Sequence, residues 1–174
     1  MKSVQQEVDE RSNLTGTNKF ELLLFRLGGD DKGEHNELFG INVFKIREIV
    51  AMPEITAIAG SPKHVLGVVN LRGTIVPIVD MRIKFNLGKP EYDSFTVVII
   101  LNIGSHVIGM VVDSVSDVVT LEPEQVRPAP AMGGGIDAEH LLGLGTVGER
   151  MLILLDIERL MSSEELGLIE RLAA

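Results

Sequence analysis

The sequence predicts an all-β protein: two tandem lobes, each a five-stranded antiparallel β-barrel, with short helical turns and a C-terminal helix. The first observation behind this is an internal repeat. Gly67-Val-Val-Asn-Leu-Arg-Gly-Thr-Ile-Val-Pro-Ile-Val-Asp80 is answered by residues 143–156 at an offset of 76, so that Ile75, Val76, Val79 and Asp80 fall on Met151, Leu152, Leu155 and Asp156. Residues 40–49 are answered by 109–118 at an offset of 69, and residues 20–25 by 95–100. Three echoes in one order describe two similar β units rather than a stacked solenoid, which needs more and shorter repeats. The second observation is composition. Of 174 residues 45% are hydrophobic, yet there are only six Phe, one Tyr and no Trp. A core of Val, Ile, Leu and Met follows, and β-branched side chains suit curved sheets. Third, every connection within a unit is too short for a crossover helix, which predicts antiparallel pairing and small closed barrels.

Taken in order, residues 1–18 carry charge with Asn, Ser, Thr and Gly in no period and read as a flexible tail before the folded region at 19–174. Lobe one is expected at about residues 19–88 and lobe two at about 94–160. Residues 20–27 are apolar except for Glu21 and Arg26, a strand buried along most of its length. Residues 28–37 hold five charged side chains and three Gly, a solvated hairpin loop ahead of a strand at 38–43. Ile46, Ile49 and Val50 alternate with Lys45, Arg47 and Glu48 as a helical turn or bent strand, which Pro53 ends. Ser61 and Pro62 open a single helical turn, stopped by Gly67, which leads into a strand at 68–71. Arg72-Gly73 makes a tight turn, and residues 74–79 return as the partner strand, with Pro77 confining it to an edge or a bulge. Turn formers at 88–94 mark the lobe boundary. Residues 95–103, 107–115 and 151–157 are strands of the second lobe. Ser162 with Glu165 forms a capping box for a helix at about 163–172, whose Leu166, Ile169 and Leu172 share one face.

Several function classes are disfavoured. A net charge of −9 disfavours a nucleic-acid partner, because phosphate binding is dominated by basic surface. The absence of Cys removes thiol catalysis, disulfides and thiolate metal sites, and suits a reducing cytoplasm. The first ten residues are polar with no apolar signal-peptide core. The most apolar stretch, 97–112, is broken by Asn102, Gly104, Ser105, His106 and Gly109 and cannot span a bilayer. A cytoplasmic protein without membrane insertion is expected. Gly143-Leu-Gly-Thr-Val-Gly148 fits G-x-G-x-x-G, but a strand-like run follows it where a phosphate loop needs a helix N-terminus. His35, His64, His106 and His140 are not paired at metal-ligand spacing and read as solvated loop residues. Asp80 and Asp156 lack the Asp-[Thr/Ser]-Gly turn of an aspartic dyad and read as strand-end hydrogen-bond acceptors. No catalytic residue, cofactor or metal site is expected. What remains is an interaction module, with a small-molecule-binding or enzymatic barrel using a groove between the lobes as the alternative.

The departures from the repeat are informative. Arg72 stands where the second unit has Gly148, between two apolar strands and beside Gly73. It is either an ordinary exposed turn arginine or a fixed guanidinium at an interface, the residue type favoured for bidentate recognition and for binding hot spots.

Residues 70–82 (Asn-Leu-Arg-Gly-Thr-Ile-Val-Pro-Ile-Val-Asp-Met-Arg), 111–117 (Val-Val-Asp-Ser-Val-Ser-Asp), 124–130 (Glu-Gln-Val-Arg-Pro-Ala-Pro) and 149–157 (Glu-Arg-Met-Leu-Ile-Leu-Leu-Asp-Ile) closely resemble the CheW family of bacterial chemotaxis coupling proteins. The resemblance covers about residues 19–172, and residues 14–27 also resemble the opening of CheV. It implies two five-stranded, SH3-like barrels without enzymatic activity. It also implies a bridging role between methyl-accepting chemotaxis receptors and the regulatory domain of the histidine kinase CheA. That domain is itself CheW-like, so that the two can alternate in rings at membrane-associated arrays. Carried onto matching positions, Ile46, Glu48, Gly67, Arg72, Val97 and Val118 are the protein-binding residues it implies. Ile46, Val97 and Val118 also suit plain core positions, and Gly67 a backbone requirement. Glu48 and Arg72 carry opposite charge and are expected to be able to pair.

Overall fold

Strand pairing exchanges pieces between the two halves of the chain. The structure is a computed structural model that describes residues 19–28, 38–85, 87, 91–128 and 140–160. Its strands are β1 (Phe20–Arg26), β2 (Leu38–Asn42), β3 (Ile46–Ala51), β4 (Val65–Leu71), β5 (Thr74–Asp80), β6 (Val97–Ile103), β7 (His106–Val112), β8 (Ser114–Leu121), β9 (Val126–Arg127), β10 (Leu141–Val147) and β11 (Arg150–Leu155). Two one-turn helices follow hairpins: α1 (Met81–Lys84) after β5 and α2 (Ile157–Leu160) after β11. A six-stranded sheet runs β8-β1-β2-β11-β10-β9 and a five-stranded sheet runs β3-β6-β7-β5-β4.

The all-β class and the short helical turns are as the sequence predicts; where two five-stranded barrels are expected, the structure has one six-stranded and one five-stranded sheet. The lobe boundaries differ as well. The six-stranded sheet takes β1 and β2 from the first half of the chain and β8–β11 from the second, and the five-stranded sheet takes β3–β5 from the first half and β6 and β7 from the second, so residues 19–88 and 94–160 do not form separate lobes. Strict antiparallel pairing also fails. β2 runs parallel to β11, with Phe39 opposite Ile153, and β5 runs parallel to β7, with Val79 opposite Met110. Both parallel pairs join strands far apart in sequence, so the short connections within a unit place no constraint on them. The repeat itself survives: under its offsets the order β8-β1-β2-β11-β10 maps onto β3-β6-β7-β5-β4.

The chain passes from one sheet to the other at two equivalent points. After β2 it makes a 3-10 turn, Val43–Lys45, capped by Asn42, whose Oδ1 accepts the Phe44 N–H at 2.9 Å. After β7 it crosses at Asp113, whose N–H donates to the Arg26 carbonyl at 3.0 Å. Local differences from expectation are small. Residues 61–64 form a turn rather than a helix, and β4 begins at Val65. Pro77 is tolerated because β7 joins β5 only from Ile78 onward. The expected C-terminal helix, the 1–18 tail and most of the 28–37 loop lie outside the described residues.

The alternation of side chains makes three apolar clusters from two sheets. On β1, Phe20, Leu22 and Leu24 share one face of the six-stranded sheet and cluster with Leu121, Leu142, Leu152 and Leu154. On β6, Val98 and Ile100 do the same in the five-stranded sheet with Val69, Val76, Ile78 and Val111. The alternate residues Leu23, Phe25 and Leu27 of the β1 segment meet Ile99, Leu101 and Ile103 of β6 in a third cluster, which joins the sheets. Phe25 and Phe39 stack within it at 5.9 Å between centroids. The junction expected to offer a groove is thus filled with hydrocarbon, close-packed as protein interiors are.

Candidate protein-interaction site

β4 and β5 are joined by a two-residue loop, Arg72-Gly73, with φ of +52° and +89°. Two successive positive φ values are the signature of the tight turns whose twist suits a hairpin. Asn70 helps to hold the turn, its Oδ1 accepting the Gly73 N–H at 2.8 Å. Arg72 is the sole non-glycine at positive φ among the described residues, and its repeat counterpart is Gly148 at φ +60°. From this turn the Arg72 guanidinium donates to the Glu48 carboxylate on β3. The sequence-predicted pair therefore exists, with Arg72 well exposed and Glu48 less so.

The other predicted residues separate into distinct environments. Ile46 and Val97 are half-buried and pack against the junction core, on β3 and β6, which are paired neighbours. Gly67 is buried on β4 at φ +148°, and a Cβ there would lie 2.1 Å from the Thr56 carbonyl oxygen. That carbonyl accepts the Val68 N–H, and Thr56 N–H donates back to Val68, both at 2.9 Å. Gly67 is thus a backbone necessity where a segment closes on the edge of β4. Val118 lies on β8, an edge strand of the other sheet, and is 61% exposed, so it is not core. Five of the six residues gather on the five-stranded sheet; Val118 stands apart.

The exposed apolar residues show why. Ile49 is 41% and Ile75 43% exposed, one next to Glu48 and the other just past the Arg72 turn. Under the repeat, Ile49 corresponds to Val118 and Ile75 to Met151, which is 60% exposed. Each sheet therefore presents an equivalent pair of uncovered apolar side chains, and the Glu48–Arg72 pair adjoins only one of them. Ile49, Ile75 and Met151 were not singled out from sequence; mapping Val118 back through the offset of 69 would have found Ile49.

The residues weighed for chemistry fall into structural roles. The 143–148 glycine motif lies along β10 and its turn into β11, so no helix N-terminus faces it. Asp80 and Asp156 cap α1 and α2, Asp80 accepting the Arg82 N–H at 3.0 Å and Asp156 the Arg159 N–H at 3.3 Å. His64 and His140 are half-buried repeat equivalents, their carbonyls accepting from the backbone N–H of Asp80 at 2.8 Å and Asp156 at 2.9 Å. Among the described residues no three His, Asp or Glu side chains converge as metal ligands, and no helix is long and apolar enough to cross a membrane.

Two sheets welded by a common core, each with a pair of exposed apolar side chains, define a β-sheet protein without a metal or catalytic centre among the described residues. Comparison with known proteins gives the family. A model of the CheW-like domain matches residues 21–165, and the chain belongs to that family. It is 50% identical over 153 residues to the chemotaxis protein CheW of Klebsiella aerogenes, covering 88% of each chain. It is 25% identical over 163 residues to the chemotaxis protein CheV3 of Helicobacter pylori, covering 91% of this chain and 52% of that one. The crystal structure of the scaffolding protein TtCheW from Thermoanaerobacter tengcongensis superposes with a TM-score of 0.73 at 27% identity, covering 84% of this chain and 94% of that one.

Proposed function

We propose that this chain is a non-catalytic adaptor. It couples methyl-accepting chemotaxis receptors to the regulatory domain of the histidine kinase CheA, alternating with that domain in rings at membrane-associated arrays. The observation that carries this is the repeat-equivalent exposure of Ile49 with Ile75 and of Val118 with Met151, on separate sheets, each pair read as one apolar patch. One chain offering two similar surfaces can hold two partners at once, and uncovered apolar side chains rimmed by charge are the usual material of an interface. Glu48 and Arg72 add a directional charged contact to the first patch. Ile46 and Val97 stand on the neighbouring strands β3 and β6, and Gly67 on β4. Membership of the CheW-like domain family and similarity to chemotaxis proteins agree with this role.

The test is a titration with a receptor cytoplasmic fragment and the kinase regulatory domain, separately and together. Simultaneous binding of both is expected. Mutual displacement would reject the bridging role, because a coupler must hold both partners at once.

A further inference from the structure

Arg82 is the largest fully buried side chain of the described residues, at 1% exposure. Its guanidinium donates twice to Asp80, from Nε at 3.0 Å and from Nη2 at 2.9 Å, a bidentate pair. Nη1 donates to Asp113 Oδ1 and to the Glu91 carbonyl, both at 2.7 Å. Tyr92 covers the cluster, its hydroxyl donating to Asp80 Oδ2 at 2.8 Å and its ring lying 4.9 Å from the Arg82 Cζ. Burial by itself would favour the neutral guanidine, but the hydrogen bonds to Asp80 and Asp113 outweigh it and hold Arg82 charged.

The position of this cluster matters more than its strength. Arg82 sits on α1, at the end of the five-stranded sheet, while Asp113 is the residue at which the chain crosses to the other sheet. The other face of Asp113 is held by the six-stranded side: Oδ2 accepts the Gly28 N–H and the Asp113 N–H donates to Arg26 at the end of β1. The repeat supplies a counterpart at the other crossing. Arg82 corresponds to Glu158 on α2, which pairs with Lys45 in the turn between β2 and β3. Each short helix is thus tied to a crossover by an ion pair, with the charges reversed. One joint centres on the fully buried Arg82, with its Asp113 partner 29% exposed; in the other, Lys45 is 19% and Glu158 47% exposed. A buried, multiply bonded pair has few alternative geometries, whereas an exposed pair is screened and loose.

We propose that Arg82 and Asp113 are positioning residues, their ion pair being the joint that fixes the orientation of one sheet, with its apolar patch, relative to the other. The consequence for coupling rests on the adaptor role above; the orientation itself does not. The apolar core resists separation of the sheets but is non-directional, and the hydrogen bonds that link Asp113 to Arg82 on one side and to Gly28 and Arg26 on the other supply the direction.

The experiment measures amide residual dipolar couplings for both sheets, and the binding of receptor fragment and kinase regulatory domain singly and together. It compares the full chain with Asp113→Asn, Asp113→Glu, Tyr92→Phe and Lys45→Met. In Asp113→Asn the relative orientation of the sheets is expected to shift or broaden. Each partner alone should bind within about threefold of the parent, while assembly of the three-component complex falls about tenfold or more. Asp113→Glu should restore part of this, and Lys45→Met should change it little. If Asp113→Asn does not fold, Tyr92→Phe, which removes one hydrogen bond from the cluster, decides by the same two readouts. A folded Asp113→Asn, or Tyr92→Phe in its place, with unchanged couplings and unchanged assembly overturns the proposal, as does an equal loss of both single affinities. If the parent chain binds neither partner, the adaptor role fails, and the couplings still decide the joint.

Discussion

Arg72 and Glu48 tie together the two margins of the five-stranded sheet. β3 and β4 stand at opposite ends of its strand order, yet the guanidinium of the β4–β5 turn meets the carboxylate of β3. The Thr56–Val68 bridge closes the same gap further along β4. Arg72 reaches this position at φ +52°, a left-handed conformation that costs a non-glycine residue about 1–2 kcal/mol. An exposed ion pair returns about 0–1 kcal/mol. The arginine therefore does little for the fold.

Arg72→Gly should unfold within about 0.5 kcal/mol of the parent, or slightly above it, in a denaturant titration, because the strain relieved offsets the pair lost. Partner affinity should fall about tenfold, the scale of a charged interface contact. Exchanging the charges, Glu48→Arg with Arg72→Glu, should recover part of the affinity if the pair itself is recognised. Unchanged affinity of Arg72→Gly for both partners would leave Arg72 an ordinary turn residue.

Gly67→Ala should behave in the opposite way. The added Cβ would overlap the Thr56 carbonyl oxygen, a backbone atom that cannot rotate away, at a φ that L residues avoid. A loss of about 2–3 kcal/mol is expected, the range of overpacking with backbone strain. Hydrogen exchange should speed up at Thr56 and Val68 before the rest of the sheet. Parent-like protection there would show that the segment can shift at little cost.

Val118 and Ile99 separate surface from core. Val118→Lys replaces an exposed side chain on an edge strand, so stability should stay within about 0.5 kcal/mol while partner binding weakens. Ile99→Ala opens a cavity in the cluster that joins the sheets and should cost about 2–5 kcal/mol. Similar stability losses for both would place Val118 in a covered position after all.

The chain's one tyrosine reports on the Arg82 cluster, and with no tryptophan present ultraviolet absorbance reads it alone. Burial, then its hydrogen bond to Asp80, pushes the Tyr92 hydroxyl from 10 up to about 12. The folded state therefore resists an ionisation that the unfolded chain undergoes near pH 10. Its contribution to stability is complete below pH 10 and is lost as the pH rises from there towards 12. Tyr92→Phe should make stability fall less steeply across that window. A midpoint near 10 in the folded protein would show that the hydroxyl is free of Asp80.

Local chemistry was legible in the sequence because it depends on neighbours in the chain. The Arg72-Gly73 turn, the strands on either side of it, the strand-end acceptors Asp80 and Asp156 and the tandem repeat all follow from residue type and spacing, and the family resemblance rests on the same blocks. The opposite charges of Glu48 and Arg72 suggested their pairing, which the structure forms. Tertiary structure alone decided which strands pair across the halves. A strand's alternation says which face is buried but not which sheet it joins, so the β2–β11 and β5–β7 parallel pairs and the exchange they create were invisible. Arg82 was hidden for the same reason. Its Asp80 partner is two residues away and could have been suspected, but its burial depends on Asp113 and Tyr92, brought to it from across a crossover and a linker. Sequence settles how each piece of this chain bends and which side it buries; long-range packing, where a guanidinium must find every partner before it can leave water, settles how the pieces are joined.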